Sequence, residues 1–226
     1  MKAVILAGGL GTRLKPFTST IPKPLLPIGE KAVLEIQIEK LANYGFKEIF
    51  IATNYKSEFI ENFLGDGSKY GVDLTFSKEK KKLGTVGPLT LIKEHLNDPF
   101  LLMNGDVLCN MDYKKFYDFS VQNNSPLTIT TKKLITPFEF GNIIFEGDLV
   151  KEIQEKPDFV NYIMAGIYVL KQEVFDIIPY NTFFGIDQLV HYYLKHSISV
   201  SKFEILEYWL DIGRIDDYEK AQEQFK

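Results

Sequence analysis

Short apolar runs rich in β-branched residues alternate with stretches of helical periodicity along the first half of the chain. "KAVILA" reads as a buried strand that a glycine pair closes. "VLEIQIEKLANYGF" repeats its apolar residues at helical spacing and ends near Gly45. "EIFIATN" predicts the next strand, "SEFIENFLGDG" a short helix stopped by glycine, and "VDLTFSKE" a third strand. "TVGPLTLIKEHL" predicts a further helix, with Thr85 suited to its N-cap. "PFLLMNGDV" is apolar until it breaks at Asn104-Gly105-Asp106. This rhythm predicts an α/β fold, Rossmann-like, with a mostly parallel central sheet and helices on both faces.

The second half is more mixed. "PLTITTKKL", "GNIIFEGDLVKEIQEK" and "IMAGIYVL" read as strands, the middle one a small added β-hairpin around Glu146-Gly147-Asp148. A helix is expected near Gly185 to Lys195, then "ISVSKFEI", "YWLDIG" and a last helix from about Asp216. Open sheets of this kind bind ligands at the carboxyl ends of their strands. Four unusual stretches fall at such ends: Gly8 to Arg13, Asn104 to Asp106, Glu155-Lys156 and Asp211 to Arg214.

Composition narrows the function classes. The 226 residues suit one domain, 1–226, and 45% apolar content suffices for a sizeable core. The net charge of -4 argues against a general nucleic-acid binder. No apolar run is long enough to span a membrane, and the brief run after Lys2 is too short for a signal peptide. Cys109 is the single cysteine, so no internal disulfide forms and no zinc spacing exists. The cytoplasm is the expected location. His95, His191 and His196 fall outside every motif and read as structural.

"LAGGLGTRLKPFT", followed by "PKPLLPI", carries the sharpest signal. Gly8, Gly9 and Gly11 let backbone approach a ligand closely, and backbone N–H groups of such a loop can cradle phosphate. Arg13 offers a planar fork of donors to phosphate oxygens. Lys23 is restricted by Pro22 and Pro24. The Rossmann dinucleotide spacing fails, because Thr12, Arg13 and Leu14 follow Gly11 where a third glycine is needed. Asp106 sits where an apolar strand ends, a good place for a Mg²⁺ ligand, though Asn-Gly-Asp also makes an ordinary turn. The run Lys80-Lys81-Lys82 reads as a solvated face.

The signature loop resembles that of the nucleotidyltransferases that make nucleotide sugars from NTPs and sugar 1-phosphates. "LGTVGPL", "NGDV", "EKP", "AGIYVL" and "WLDIG" follow in that family's order, so the resemblance covers nearly the whole chain. It implies the nucleotide-diphospho-sugar transferase fold and the reaction NTP plus sugar 1-phosphate to NDP-sugar plus pyrophosphate. It nominates Leu6, Gly8, Gly9, Gly11, Thr12, Arg13, Lys23, Gly84, Thr85 and Asp106 as nucleotide-binding. Gly141, Glu155, Lys156, Asn161 and Gly166 are nominated for the sugar phosphate, with Asp187 a lesser candidate. Arg13, Lys23, Asp106 and Lys156 would be catalytic, and Asp106 with Asp211 would hold Mg²⁺. "LGTVGPL" and "EKP" with "AGIYVL" resemble enzymes that use GTP with mannose or manno-heptose 1-phosphate. A cytidylyl- or uridylyltransferase and a non-catalytic nucleotide-sugar-binding regulator are the alternatives. A homo-oligomer is compatible with the resemblance, and a C-terminal β-helix is not expected. Arg214 departs from the small residue or proline usual after "DIG", and reads either as a surface arginine pairing with Asp216 or Asp217 or as a contact at the mouth of the site.

Overall fold

The computed structural model describes residues 1–224. The chain begins with β1 (Lys2–Leu6), a short α1 (Phe17–Thr20) and the two-residue strands β2 (Pro27–Ile28) and β3 (Lys31–Ala32). Then come α2 (Val33–Asn43), β4 (Glu48–Thr53), α3 (Ser57–Leu64), β5 (Asp73–Lys78), β6 (Phe100–Asn104) and β7 (Val107–Cys109). The remainder is α4 (Tyr113–Gln122), β8 (Leu127–Pro137), β9 (Asn142–Glu146), β10 (Leu149–Gln154), β11 (Asp158–Leu170), α5 (Ile186–Lys195), β12 (Val200–Glu204), β13 (Trp209–Asp211) and α6 (Ile215–Gln224).

The central sheet has 7 strands in the order β12-β8-β11-β6-β1-β4-β5. β1 runs parallel to both β4 and β6, and β4 runs parallel to β5. β11 is antiparallel to both of its neighbours, β6 and β8. The chain thus leaves β1 toward β5 on one side, then crosses back to place β6 on the other. That reversal opens a crevice at the carboxyl end of β1.

Side chains alternate across the sheet, and each face gets its own core. Ala3 and Ile5 pack with Leu34, Ile38 and Leu41 of α2, Ile60 and Leu64 of α3, and Phe116 of α4. Val4 faces the other way, with Phe50, Leu102, and Ile186, Leu189 and Tyr193 of α5. A continuous apolar run, whose successive side chains point to opposite faces, is what a doubly covered strand requires. A third cluster joins Leu14, Leu26, Ile28 and Val33 to Leu108, Ile212 and Ala221. It fastens the first loop to the last helix, which brings the two ends of the chain to one crevice.

Most predicted elements are present, but 85–96 is not an α-helix. It forms 3-10 turns at Gly87–Leu91 and Lys93–His95. The N–H groups of Val86 and Gly87 both donate to the carbonyl of Phe184, at 3.0 and 3.1 Å, and Pro88 has no N–H. The donors that would start a helix are spent on a tertiary partner, and Thr85 caps nothing. The hairpin β9–β10 stands apart from the central sheet. β8 and β11 project toward it as a paired arm, Leu134 opposite Asn161 and Pro137 opposite Asp158.

Candidate active site

β1 ends at Leu6, and the N–H of Ala7 still donates to Ala52 at 2.7 Å. The glycine loop then departs. A Cβ on Gly8 would lie 2.7 Å from a Glu79 carboxylate oxygen, so a side chain there would displace Glu79. Gly11 has φ +60°, and Thr18 Oγ1 donates to its carbonyl at 2.7 Å. Fully buried Leu14 anchors the turn that follows and leaves Arg13 on the exposed side.

Asp106 lies in the turn after β6, held against the end of β1. The Gly105 N–H donates to Leu6 O at 2.9 Å, and a Cβ there would be 2.5 Å from that oxygen. The Pro22-Lys23-Pro24 strap delivers the Lys23 ammonium directly onto the Asp106 carboxylate. The Lys23 side chain is 10% exposed and that of Asp106 27%, so the ammonium is half-enclosed while the carboxylate keeps access to solvent.

Asp211 is brought to Asp106 by strand pairing. β13 runs antiparallel to β7 with Asp211 opposite Val107, and the Ile212 N–H donates to Asp106 O at 2.9 Å. Burial, then the Asp106 charge, pushes the Asp211 carboxyl above the usual carboxylate range. Lys23 and Arg13 pull the other way, and the residue keeps access to solvent. Two carboxylates that repel each other beside the glycine loop form a set of hard oxygen donors. Mg²⁺ suits it, since that ion needs only one or two protein carboxylates and takes the rest from phosphates and water. No cluster of three or more potential metal ligands occurs among the described residues.

Two adjoining cavities occupy the crevice. The first, about 500 Å³, runs along Gly8 to Arg13, with Lys23 and Gly213 in its wall. The second, about 360 Å³, is bounded by Leu6, Gly84, Thr85, Asn104 and Asp106. Gly8, Gly9, Glu79 and Lys82 line both. All the residues nominated for the nucleotide therefore meet here. Gly84, with φ +80°, is held where a Cβ would lie 2.7 Å from Phe184 O. Asp187 also lines the second cavity.

The residues nominated for the sugar phosphate divide. Gly166, at φ +74° beside an irregularity in β11, presses against Asn104, whose Nδ2 would be 2.8 Å from an added Cβ. Gly141 and Glu155 meet on the arm, 3.4 Å from a built Cβ to the carboxylate. Lys156 has φ +44°, and Asn161 is exposed on β11. Gly141, Glu155, Lys156 and Asn161 line neither cavity. Arg214 is exposed and lines neither, and it is its backbone N–H that donates to Asp217, at 3.0 Å.

Sequence reasoning passed over Glu79, Asn54 and the lysines 80–82, all in the wall of the first cavity. Glu79 follows β5 and Asn54 follows β4, so the strand-end rule that found Asp106 could have found them. Glu79 accepts the Leu83 N–H at 2.9 Å, and burial raises its carboxyl above the ordinary value. The three histidines stay outside. His95 stacks near Phe50, while His191 and His196 each bond a carbonyl of α5. Cys109 is buried, its thiol pushed up to about 11 by burial.

The family model described as nucleotidyl transferase matches residues 2–226. The chain is similar to mannose-1-phosphate guanyltransferases of Yarrowia lipolytica, 39% identical over 226 residues, and Saccharomyces cerevisiae, 37% over 227. Each match takes in 96% of this chain but 62% and 63% of the relative, so the chain spans less than two thirds of their length. Among solved structures, HddC from Yersinia pseudotuberculosis superposes with a TM-score of 0.78 at 30% identity. That match covers 100% of this chain and 99% of HddC, which has also been solved complexed with GMP-PN.

Proposed function

The chain belongs to the nucleotidyl transferase family, and from that premise we propose that it joins GTP to a sugar 1-phosphate, mannose 1-phosphate foremost, releasing pyrophosphate. The carrying observation is the convergence of Lys23, Asp106 and Asp211 beside the glycine loop at the carboxyl end of β1. An oxygen of the sugar 1-phosphate attacks the α-phosphorus of the NTP. The bond from that phosphorus to the bridging oxygen breaks, and pyrophosphate leaves with the electron pair. A phosphate monoester has its second pKa at about 6, so the nucleophile is already ionised and no histidine base is required. That agrees with histidines placed outside the crevice.

The work left to the protein is electrostatic and positional. Backbone of Gly8 to Thr12 cradles the phosphates, and Arg13 and Lys23 bear on the β- and γ-phosphates. Mg²⁺ held by Asp106 and Asp211 would supply positive charge to the phosphate oxygens. Lys23 pairs with Asp106, and the phosphates of an NTP would give the ammonium a second anionic partner. Lys156 and Glu155 take the sugar phosphate from the arm. Cytoplasmic reaction suits an NTP substrate and a single free cysteine. The hairpin face of Ile143, Phe145, Val150 and Ile153 is exposed, and a two-stranded hairpin is seldom stable alone. A second copy covering that face would make a homo-oligomer, which light scattering of Phe145→Asp against native protein checks.

GTP is favoured over CTP and UTP by the likeness to guanyltransferases and by Glu79. A carboxylate in the cavity wall can accept from both N1–H and the 2-amino group of guanine, a donor pair that cytosine and uracil lack. The experiment is a grid of NTPs against a panel of sugar 1-phosphates, read by pyrophosphate release. GTP with mannose 1-phosphate should lead. CTP or UTP outperforming GTP overturns the base assignment, and no turnover with any pair overturns the enzymatic reading in favour of a binding protein.

A further inference from the structure

Gln37 sits on the apolar face of α2, between Leu34, Ile38 and Leu41, and is 2% exposed. Its Nε2 donates to Asn104 O at 2.9 Å and to Val107 O at 2.7 Å. These two carbonyls bracket the Gly105-Asp106 turn, one closing β6 and the other opening β7. The Oε1 atom of the same amide is buried with no hydrogen-bond partner. The amide cannot be reversed to satisfy it, because the oxygen would then face two carbonyl oxygens. A leucine or methionine would fill this position on an apolar face without stranding a buried acceptor. The glutamine is justified by its two donated bonds.

Backbone bonds also fasten the turn, Gly105 N–H donating to Leu6 O and Ile212 N–H donating to Asp106 O, beside the Lys23 ammonium on the Asp106 carboxylate. Those bonds tie the turn to β1 and to the segment after Asp211. The hydrogen bonds of Gln37 span the turn, from the residue before Gly105 to the residue after Asp106. We propose that Gln37 is a positioning residue that fixes the direction of the Asp106 carboxylate by clamping both flanks of its turn. The proposal rests on the catalytic reading of Asp106 for its kinetic consequence, but not for its structural one.

Two variants test it. Gln37→Met keeps the length and packing and removes both donors, and it also removes the stranded oxygen. It should leave thermal stability near native and lower kcat roughly ten- to hundredfold, the span that two hydrogen bonds of ordinary strength represent. KM for GTP and for the sugar phosphate should stay within about twofold, since the affected group acts on the reacting phosphates rather than on affinity. Gln37→Glu sets a carboxylate against two carbonyl oxygens, and only its protonated form can donate. Its kcat relative to native should therefore rise as pH falls from 8 toward 5, a profile that lost packing would not produce.

Amide hydrogen exchange separates this claim from the enzymatic one. Exchange at Gly105 and Asp106 should accelerate in Gln37→Met, while the core strands remain protected. Faster exchange there in a protein that never turns over any substrate pair would sustain the clamp and sink the catalytic reading. Native exchange at the turn, or native kcat in Gln37→Met, overturns the proposal.

Discussion

Asp211→Asn should have opposite effects on stability with and without a divalent cation. Burial and the neighbouring Asp106 charge raise the Asp211 carboxyl in the folded chain. At low pH, below its value in the unfolded chain, the group is protonated in both states and contributes nothing. As pH rises from there through the folded value, the unfolded chain releases its proton first, so stability falls across that window. Above the folded value the deficit is complete, and at pH 8 the native protein carries all of it. The amide variant carries none. Because Asp211 retains solvent access, the gain from removing the charge is held below about 1 kcal/mol. In a chain of this size that raises Tm by roughly 1–3 °C. Mg²⁺ reverses the order. A ligand at about ten times its Kd stabilises by RT ln 11, about 1.4 kcal/mol, and Asp211→Asn should lose most of that gain. The assay is a thermal melt at pH 8 in EDTA and again with Mg²⁺ and a non-hydrolysable GTP analogue. A variant that melts below native in EDTA refutes the electrostatic argument. An unchanged Mg²⁺ shift refutes the ligand assignment.

Asp106→Asn should abolish pyrophosphate release while leaving the melt in EDTA within a few degrees of native, and full activity in it would remove Asp106 from the mechanism. Lys23→Ala should lower kcat most, whereas Lys156→Ala should raise the KM for the sugar phosphate more than for GTP. Identical behaviour of the two variants toward both substrates would refute the division of roles. Replacing Lys80, Lys81 and Lys82 together by alanine should raise the KM for GTP several-fold and flatten its salt dependence, leaving the sugar-phosphate KM near native. An unchanged GTP KM would return these lysines to the status of a solvated rim.

The sequence by itself determined the local pieces. The continuous apolar run Ala3, Val4 and Ile5 set a strand buried on both faces, because successive side chains of a strand point to opposite sides. Glycines at 8, 9 and 11 and the proline-bracketed Lys23 were legible as a loop with accessible backbone and a fixed cation, since backbone restriction and access are written in residue type. The ordered motifs then gave the family resemblance that the family model bears out.

Other features needed the tertiary structure, because they depend on partners distant in the chain. Asp106 and Asp211 meet only through the pairing of β7 with β13, which no spacing announces. The helix expected over 85–96 gave way to 3-10 turns because Phe184, about a hundred residues on, takes the N–H groups that would have begun it. The lysines 80–82 read as a solvated face and are exposed, and the fold also lays them along the glycine loop. Nothing in the sequence singled out Gln37. Its meaning came from two carbonyls that the return of β6 beside β1 carries to it, and hydrogen-bond geometry of that kind exists only once the sheet has closed.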